Sequence, residues 1–293
     1  MKDYTPEKIR NVALVGHGSS GKTSLTSAVL FDFGATGRLA KVDKGNTVTD
    51  YEPEEIERQI SINSAVCLVE AEDHKVNLVD TPGYSNFLSD TRAALHAVDG
   101  AAVLVSAAAG VEVGTEKVWA MLNDLGLPRL FVVNKLDREN SSFQRTVEEI
   151  RQFFGRQAMP VQIPVGGEKD FAGVVDLVRQ KAFLFEKDES GRFSETDVPA
   201  GLQAEAAKAR EELIEMIAES DEALMEKFLE AGALSAEEIE AGLKAAVRER
   251  QLFPIFAASA SANIGAQPLV RGFIGLLPSP ADRGEVMAKV GGA

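Results

Sequence analysis

Eight consecutive residues, Gly16-His17-Gly18-Ser19-Ser20-Gly21-Lys22-Thr23, fit the pattern G-x-x-x-x-G-K-[ST] at every fixed position, directly after the apolar run Val12-Ala13-Leu14-Val15. A loop of this composition between a strand signal and the helical stretch Ser24 to Phe31 is built to cradle phosphate. Glycines lack a Cβ, so successive backbone N–H groups can turn inward as an anion nest. The helix that starts here points its positive end at the same place. Lys22 then reaches the β- and γ-phosphates, the Thr23 hydroxyl can ligate Mg²⁺, and the stretch Gly16 to Ser24 is the candidate phosphate contact.

Strand signals recur at Val12 to Val15, Ile60 to Val69, Val76 to Val79, Ala101 to Val105, Leu130 to Val133 and Leu252 to Ala257. Helical patterns separate most of them, at Ser24 to Phe31, Phe87 to Val98, Glu116 to Leu125, Phe143 to Phe154 and Pro268 to Leu277. This alternation predicts a doubly wound α/β domain, a mostly parallel sheet with helices on both faces, whose ligands bind at the carboxyl ends of the strands. Asp43 to Arg58 interrupts the pattern; it is polar and acidic, and reads as a mobile loop. Ser61 follows it, a hydroxyl just ahead of a strand.

Two further motifs fall at strand ends. Asp80-Thr81-Pro82-Gly83 follows Val76 to Val79: the aspartate can hold Mg²⁺ through water, and the glycine can offer its N–H to a γ-phosphate. Alone this string is an ordinary turn; 58 residues after Lys22, at the tip of the expected strand, it becomes informative. Asn134-Lys135-Leu136-Asp137 follows Leu130 to Val133. The Asp137 carboxylate can accept from N1–H and the 2-amino group of guanine, donors that adenine lacks in that arrangement. At about 1.5–3 kcal/mol for each bond to a charged group, two such bonds set base specificity.

Composition narrows the partners. A formal charge of −14 argues against a broad nucleic-acid-binding surface. The acidity is uneven, net −5 through Pro160 and −9 beyond, so the second part presents an acidic face, either a partner site or a solvated one. The N-terminus is neither a signal nor a transit peptide, and no apolar run approaches a membrane span. A single cysteine, Cys67, excludes an internal disulfide and fits a reducing cytoplasm; its apolar neighbours predict a buried strand residue. His74 and His96 lack partners at metal-ligand spacing, and Trp119 reads as a packing residue.

G-H-G-S-S-G-K-T, D-T-P-G, N-K-L-D and Ser259-Ala260, in that order and at those spacings, resemble the guanine-nucleotide domain of translational GTPases of the elongation factor G type. Phe171 to Val178, Glu222 to Leu229 and Leu276-Leu277-Pro278-Ser279-Pro280 carry the specific likeness. The resemblance implies GTP or GDP with Mg²⁺ as ligands, and GTP hydrolysis, stimulated by the ribosome and intrinsically slow. Gly16, His17, Gly18, Ser19, Ser20, Gly21, Lys22, Thr23, Ser24, Asp80 and Gly83 would face the phosphates. Asn134, Lys135, Asp137, Ser259 and Ala260 would enclose guanine. Thr23, Ser61 and Asp80 would serve the metal, and Lys22, Gly83 and Tyr84 the chemistry. His17 is family-typical and is expected to pack the loop.

The same resemblance divides the chain into a nucleotide domain over 1–164 and 251–293 and an inserted α+β subdomain over 165–250. Within the insert, Lys181 to Glu186 and Gly191 to Thr196 predict a hairpin. Gly201 to Ala218, Asp221 to Glu230 and Ser235 to Arg250 predict helices, the last with a Ser235/Glu238 capping box. The family's insert meets the ribosomal stalk protein; a plain solvated appendage is the other reading. The family's chain continues past Leu-Pro-Ser-Pro, so this sequence is expected to be the N-terminal part of a larger cytoplasmic protein, monomeric as a fragment and without membrane contact.

Three positions depart from the family's pattern. Ser19 stands for an aspartate tied to a monovalent-cation site, Ser61 for the threonine that ligates Mg²⁺, and Tyr84 for the histidine that positions the attacking water. A phenol stays neutral where an imidazole can take up a proton, and it sets its oxygen farther from the backbone. Hydrolysis is therefore expected to be slower, with nucleotide affinity nearly intact. The alternative is a nucleotide-dependent binding switch with weak or no hydrolysis.

Overall fold

A computed structural model describes residues 2–283; positions 284–293 of the expected nucleotide domain lie outside the described residues. The chain runs β1 (Ile9–Gly16), α1 (Lys22–Asp32), α2 (Pro53–Arg58), β2 (Ala65–Ala71), β3 (His74–Asp80), α3 (Leu88–Leu95), β4 (Gly100–Ser106), α4 (Val113–Asp124), β5 (Arg129–Asn134) and α5 (Phe143–Phe154). It continues through β6 (Ala158–Pro160), β7 (Gln162–Val165), β8 (Gly173–Asp176), β9 (Lys181–Phe185), β10 (Phe193–Asp197), α6 (Gln203–Glu219), α7 (Glu222–Ala231), α8 (Ala236–Arg248), β11 (Phe253–Ala257) and α9 (Ala266–Leu276).

Seven strands form one sheet in the order β2-β3-β1-β4-β5-β11-β6, parallel except for β2. Side chains alternate between faces along a strand. Val12 and Leu14 therefore join Leu25 and Val29 of α1 and Phe273 of α9 on one side of the sheet. Ala13 and Val15 join Leu95 of α3, Val118 of α4 and Ile150 of α5 on the other. With both faces covered, the central strands are continuous apolar runs, which is why they were readable as strands. The doubly wound architecture is as predicted.

A second sheet, β10-β9-β8-β7, is wholly antiparallel, and helices α6 to α8 follow it. The predicted hairpin is β9–β10, and α8 opens on the predicted capping box, with both reciprocal bonds between Ser235 and Glu238 present. No helix among the described residues is long and apolar enough to cross a membrane.

Local structure departs from the sequence reading in several places. Asp43 to Arg58 is not irregular throughout: a 3₁₀ turn at Val42–Lys44 overlaps its start, and it holds helix α2, which starts at Pro53 with a Glu52/Glu55 capping box. The strand read from Ile60 begins only at Ala65. The amides before it are taken by side chains instead of a neighbouring strand. Buried Glu55 accepts from Ile62 and Asn63 N–H (2.8 and 3.0 Å), and Asp90 accepts from Ser64 N–H (2.6 Å). Cys67 does sit in a strand, but β2 lies at the sheet edge and leaves it half-buried; burial still pushes its thiol up to about 12. Strands β6, β7 and β8 escaped the sequence reading because each is only three or four residues long.

Candidate functional site

β1, β3, β5 and β11 end at the same edge of the sheet, and the four sequence motifs sit on those ends. They surround a cleft of about 440 Å³ whose walls include Gly18, Lys22, Thr23, Ser24, Gly83 and Tyr84 on one side and Asn134, Lys135, Ala260 and Ser261 on the other. That volume suits a small ligand.

The phosphate loop turns through Gly16 and enters α1 after Gly21, whose φ of 96° lies in the region that glycine favours. Lys22 is buried, and its ammonium donates to the carbonyls of Gly16 (3.2 Å) and His17 (2.9 Å). Burial draws its pKa down to about 8, against the pull of the nearby Asp80 and Asp50 carboxylates. The backbone of Gly83 passes so close above it that a β carbon there would collide with the ammonium and stand 2.7 Å from Gly18 N. Ser20 is buried beneath the loop. His17 ties the loop to the start of α4: its Nδ1 accepts from Gly114 N–H (3.1 Å), and its Nε2 lies 3.4 Å from Glu112.

Beside Lys22, the structure brings together the three residues predicted to serve a metal. The hydroxyls of Thr23 and Ser61 lie 3.0 Å apart. Asp80 is 1% exposed; its Oδ2 accepts from Thr49 Oγ1 (2.8 Å), while its Oδ1 is buried without a partner. Burial pushes its pKa up to about 6, with the Thr49 and Thr23 hydroxyls opposing. Asp50 adds a second carboxylate with a buried, unpartnered Oδ1, its pKa also raised by burial. Two hydroxyls and two carboxylates with open oxygens are a hard donor set that fits Mg²⁺, which takes one or two carboxylates and keeps several waters.

At the other end, Asn134 is fully buried and uses both ends of its amide. Nδ2 donates to Ser20 O (3.0 Å), and Oδ1 accepts from Ala260 N–H (3.0 Å). It thereby ties the phosphate loop to the loop after β11. Asp137 accepts from Ser259 Oγ (2.6 Å) on one oxygen and from Ser261 Oγ (2.9 Å) on the other. Asp137 itself does not line the cleft; Ser261 does. Lys135 holds a left-handed φ of 66°, and burial lowers its pKa.

Thr49, Asp50, Glu55 and Ser261 were not found by sequence reasoning. Their signals were weak: three lie in the segment read as a loop, and Ser261 is one more hydroxyl after Ser259-Ala260. Tyr84 is brought to the loop, but not in isolation: its hydroxyl lies 3.1 Å from Ser19 Oγ.

Residues 7–279 match the family described as the elongation factor Tu GTP-binding domain. Elongation factor G of Thermotoga maritima is 39% identical over 276 residues, covering 94% of this chain and 40% of that protein. Elongation factor G of Thermotoga sp. strain RQ2 gives the same figures. A crystal structure of a protein from Thermus thermophilus matches with a TM-score of 0.89 and 39% identity, over 94% of this chain and 41% of that one. The chain thus spans about 40% of the length of the curated relatives it matches.

Proposed function

The chain belongs to the elongation factor Tu GTP-binding domain family, and from that premise we propose that it binds GTP and GDP with Mg²⁺ and hydrolyses GTP as part of a longer elongation factor G-like protein acting on the ribosome. The observation that carries this reading is the cluster beside buried Lys22: Thr23 and Ser61 hydroxyls 3.0 Å apart, with the open oxygens of Asp80 and Asp50. Such a cluster has no use in a bare core, where unpaired carboxylates are costly.

In this reading, Lys22 and the loop amides from Gly16 to Ser24 neutralise phosphate charge, and Gly83 N–H meets the γ-phosphate. Thr23, Ser61 and Asp80 would hold Mg²⁺, which would supply positive charge against the phosphates. Asn134, Lys135, Asp137, Ser259 and Ala260 enclose guanine, with Ser261 yielding its bond to Asp137 when the base arrives. Tyr84 orients the attacking water. The division into a nucleotide domain over 1–164 and 251–293 and an insert over 165–250 belongs to the same proposal. So do a cytoplasmic location, a monomeric state for this chain and contact between the insert and the ribosomal stalk.

The test is single-turnover hydrolysis of GTP by the longer protein, with and without ribosomes. Turnover that is slow alone and rises with ribosomes is the expected result. Tight GTP binding without turnover under both conditions would replace it with the switch reading, in which the nucleotide only selects a conformation.

A further inference from the structure

Two of the three departures from the family's pattern, Ser19 and Tyr84, lie 65 positions apart in sequence and touch in space. The Tyr84 ring lies over Gly18, where an added β carbon would stand 2.9 Å from ring carbons, and its hydroxyl is 3.1 Å from Ser19 Oγ. Ser19 itself holds a left-handed φ of 64° in the phosphate loop. Tyr84 is 38% exposed, so one side of the phenol faces the loop and the other faces water. The next residue is also held, since Lys117 Nζ donates to Ser85 Oγ (3.1 Å).

We infer that Ser19 is a positioning residue for hydrolysis, its hydroxyl fixing the Tyr84 phenol at the rim of the phosphate loop so that the two substitutions act as one unit. This rests on the GTPase reading above. A tyrosine has two free torsions between backbone and hydroxyl and sets its oxygen far from the chain, so an unanchored phenol would sweep a wide arc. One hydrogen bond at its tip, together with the glycine floor beneath its ring, removes that freedom. With one phenol lone pair or its proton engaged by Ser19, the remaining capacity of the oxygen can hold a water. That water adds to the γ-phosphorus as the bond to the β–γ bridging oxygen breaks, leaving GDP, and its proton ends on inorganic phosphate. Ser19 touches neither water nor phosphorus through this hydroxyl; it acts through Tyr84.

The experiment is a double-substitution cycle in the longer protein with ribosomes, following single-turnover GTP hydrolysis with saturating Mg²⁺, and GTP and GDP dissociation constants in parallel. Tyr84→Phe keeps the ring over Gly18 and removes the hydroxyl; Ser19→Ala removes the anchor. Ser19→Ala is expected to slow hydrolysis about tenfold and Tyr84→Phe at least as much, since it removes the oxygen that holds the water as well as the bond; the double variant should be no slower than Tyr84→Phe alone. Ser19→Asn, which suits a left-handed φ and keeps a hydrogen-bonding group, should recover most of the rate. Any change in affinity should be the same for GTP and GDP and smaller than the change in rate, and Tyr84→Phe, outside the loop, should show the same split; a loop merely distorted by Ser19→Ala would lose affinity at least as much as rate. Additive losses, or a Ser19→Ala rate equal to wild type while GTP still binds, would overturn the pair alone. Failure of the unaltered chain to bind GTP would instead overturn the nucleotide reading on which the pair rests.

Discussion

The two ends of the cleft are built on opposite principles. At the Asn134 end, the amide of Asn134 and both oxygens of Asp137 find partners within the protein, so the geometry is set before a base arrives. At the Asp80 end, Asp80 and Asp50 each keep a buried oxygen that no protein group satisfies. Unsatisfied buried acceptors lower stability, and these two, beside a buried lysine, are the groups that a bound ligand would complete. In the proposed reading, one end would select a ligand by a preformed shape and the other would draw its final order from the ligand.

The comparison can be broken most sharply at Asp137. Asp137→Asn is expected to weaken GTP and GDP binding about a hundredfold while improving binding of xanthine nucleotides, because an amide can donate where the carboxylate only accepted. Competition of the two nucleotide families for a fluorescent analogue reads both changes; loss of affinity for both alike would mean that the end had merely collapsed.

Asn134→Ala strands Ser20 O and Ala260 N–H in a buried site, so it should cost about 2 kcal/mol of stability even without ligand, as measured by urea unfolding. Unchanged stability would show that this end is not preformed. Ser61→Ala, in contrast, should leave ligand-free stability within about 0.5 kcal/mol and raise the Mg²⁺ concentration needed for tight GTP binding about tenfold, with a smaller effect on GDP. Equal effects on the two nucleotides would remove Ser61 from the metal.

The smallest effect concerns an unsatisfied carboxyl group outside the cleft. Asp32, at the end of α1, accepts from Asn263 Nδ2 (2.6 Å), but its other oxygen is buried without a partner, and burial pushes its pKa from 3.8 up to about 7. The native state therefore keeps a proton that the unfolded chain has already released, so this group's contribution to stability falls as pH rises from about 4 through 7. Asp32→Asn should accordingly stabilise the chain by about 1 kcal/mol at pH 8, and by progressively less on acidification to pH 5. A pH-independent difference would show that the carboxyl group does not titrate in this range.

The same contrast explains what could be read from sequence. G-H-G-S-S-G-K-T, D-T-P-G and N-K-L-D were legible because each residue type answers to the backbone beside it or to the ligand, within a few positions. The strands that present them were legible because burial on both faces leaves an apolar run. Thr49 and Asp50 were not, since their roles depend on Asp80 and Ser61, partners that only the fold brings near. Glu55 shows the physical reason most clearly: by accepting from the amides of Ile62 and Asn63, it keeps apolar Ile60 and Ile62 out of the strand that their pattern suggested. The Ser19–Tyr84 contact belongs with these, as two separate substitutions whose meaning lies in their proximity.

The central claim is that this cleft is a guanine-nucleotide site completed by Mg²⁺. Titration calorimetry of the chain with GTP and with ATP, each with Mg²⁺ and with a chelator, tests it directly. The account predicts GTP binding at least about a hundredfold tighter than ATP, from the two hydrogen bonds that only guanine can make to Asp137, and weaker GTP binding once Mg²⁺ is chelated. Comparable dissociation constants for GTP and ATP, or GTP binding indifferent to Mg²⁺, would contradict it.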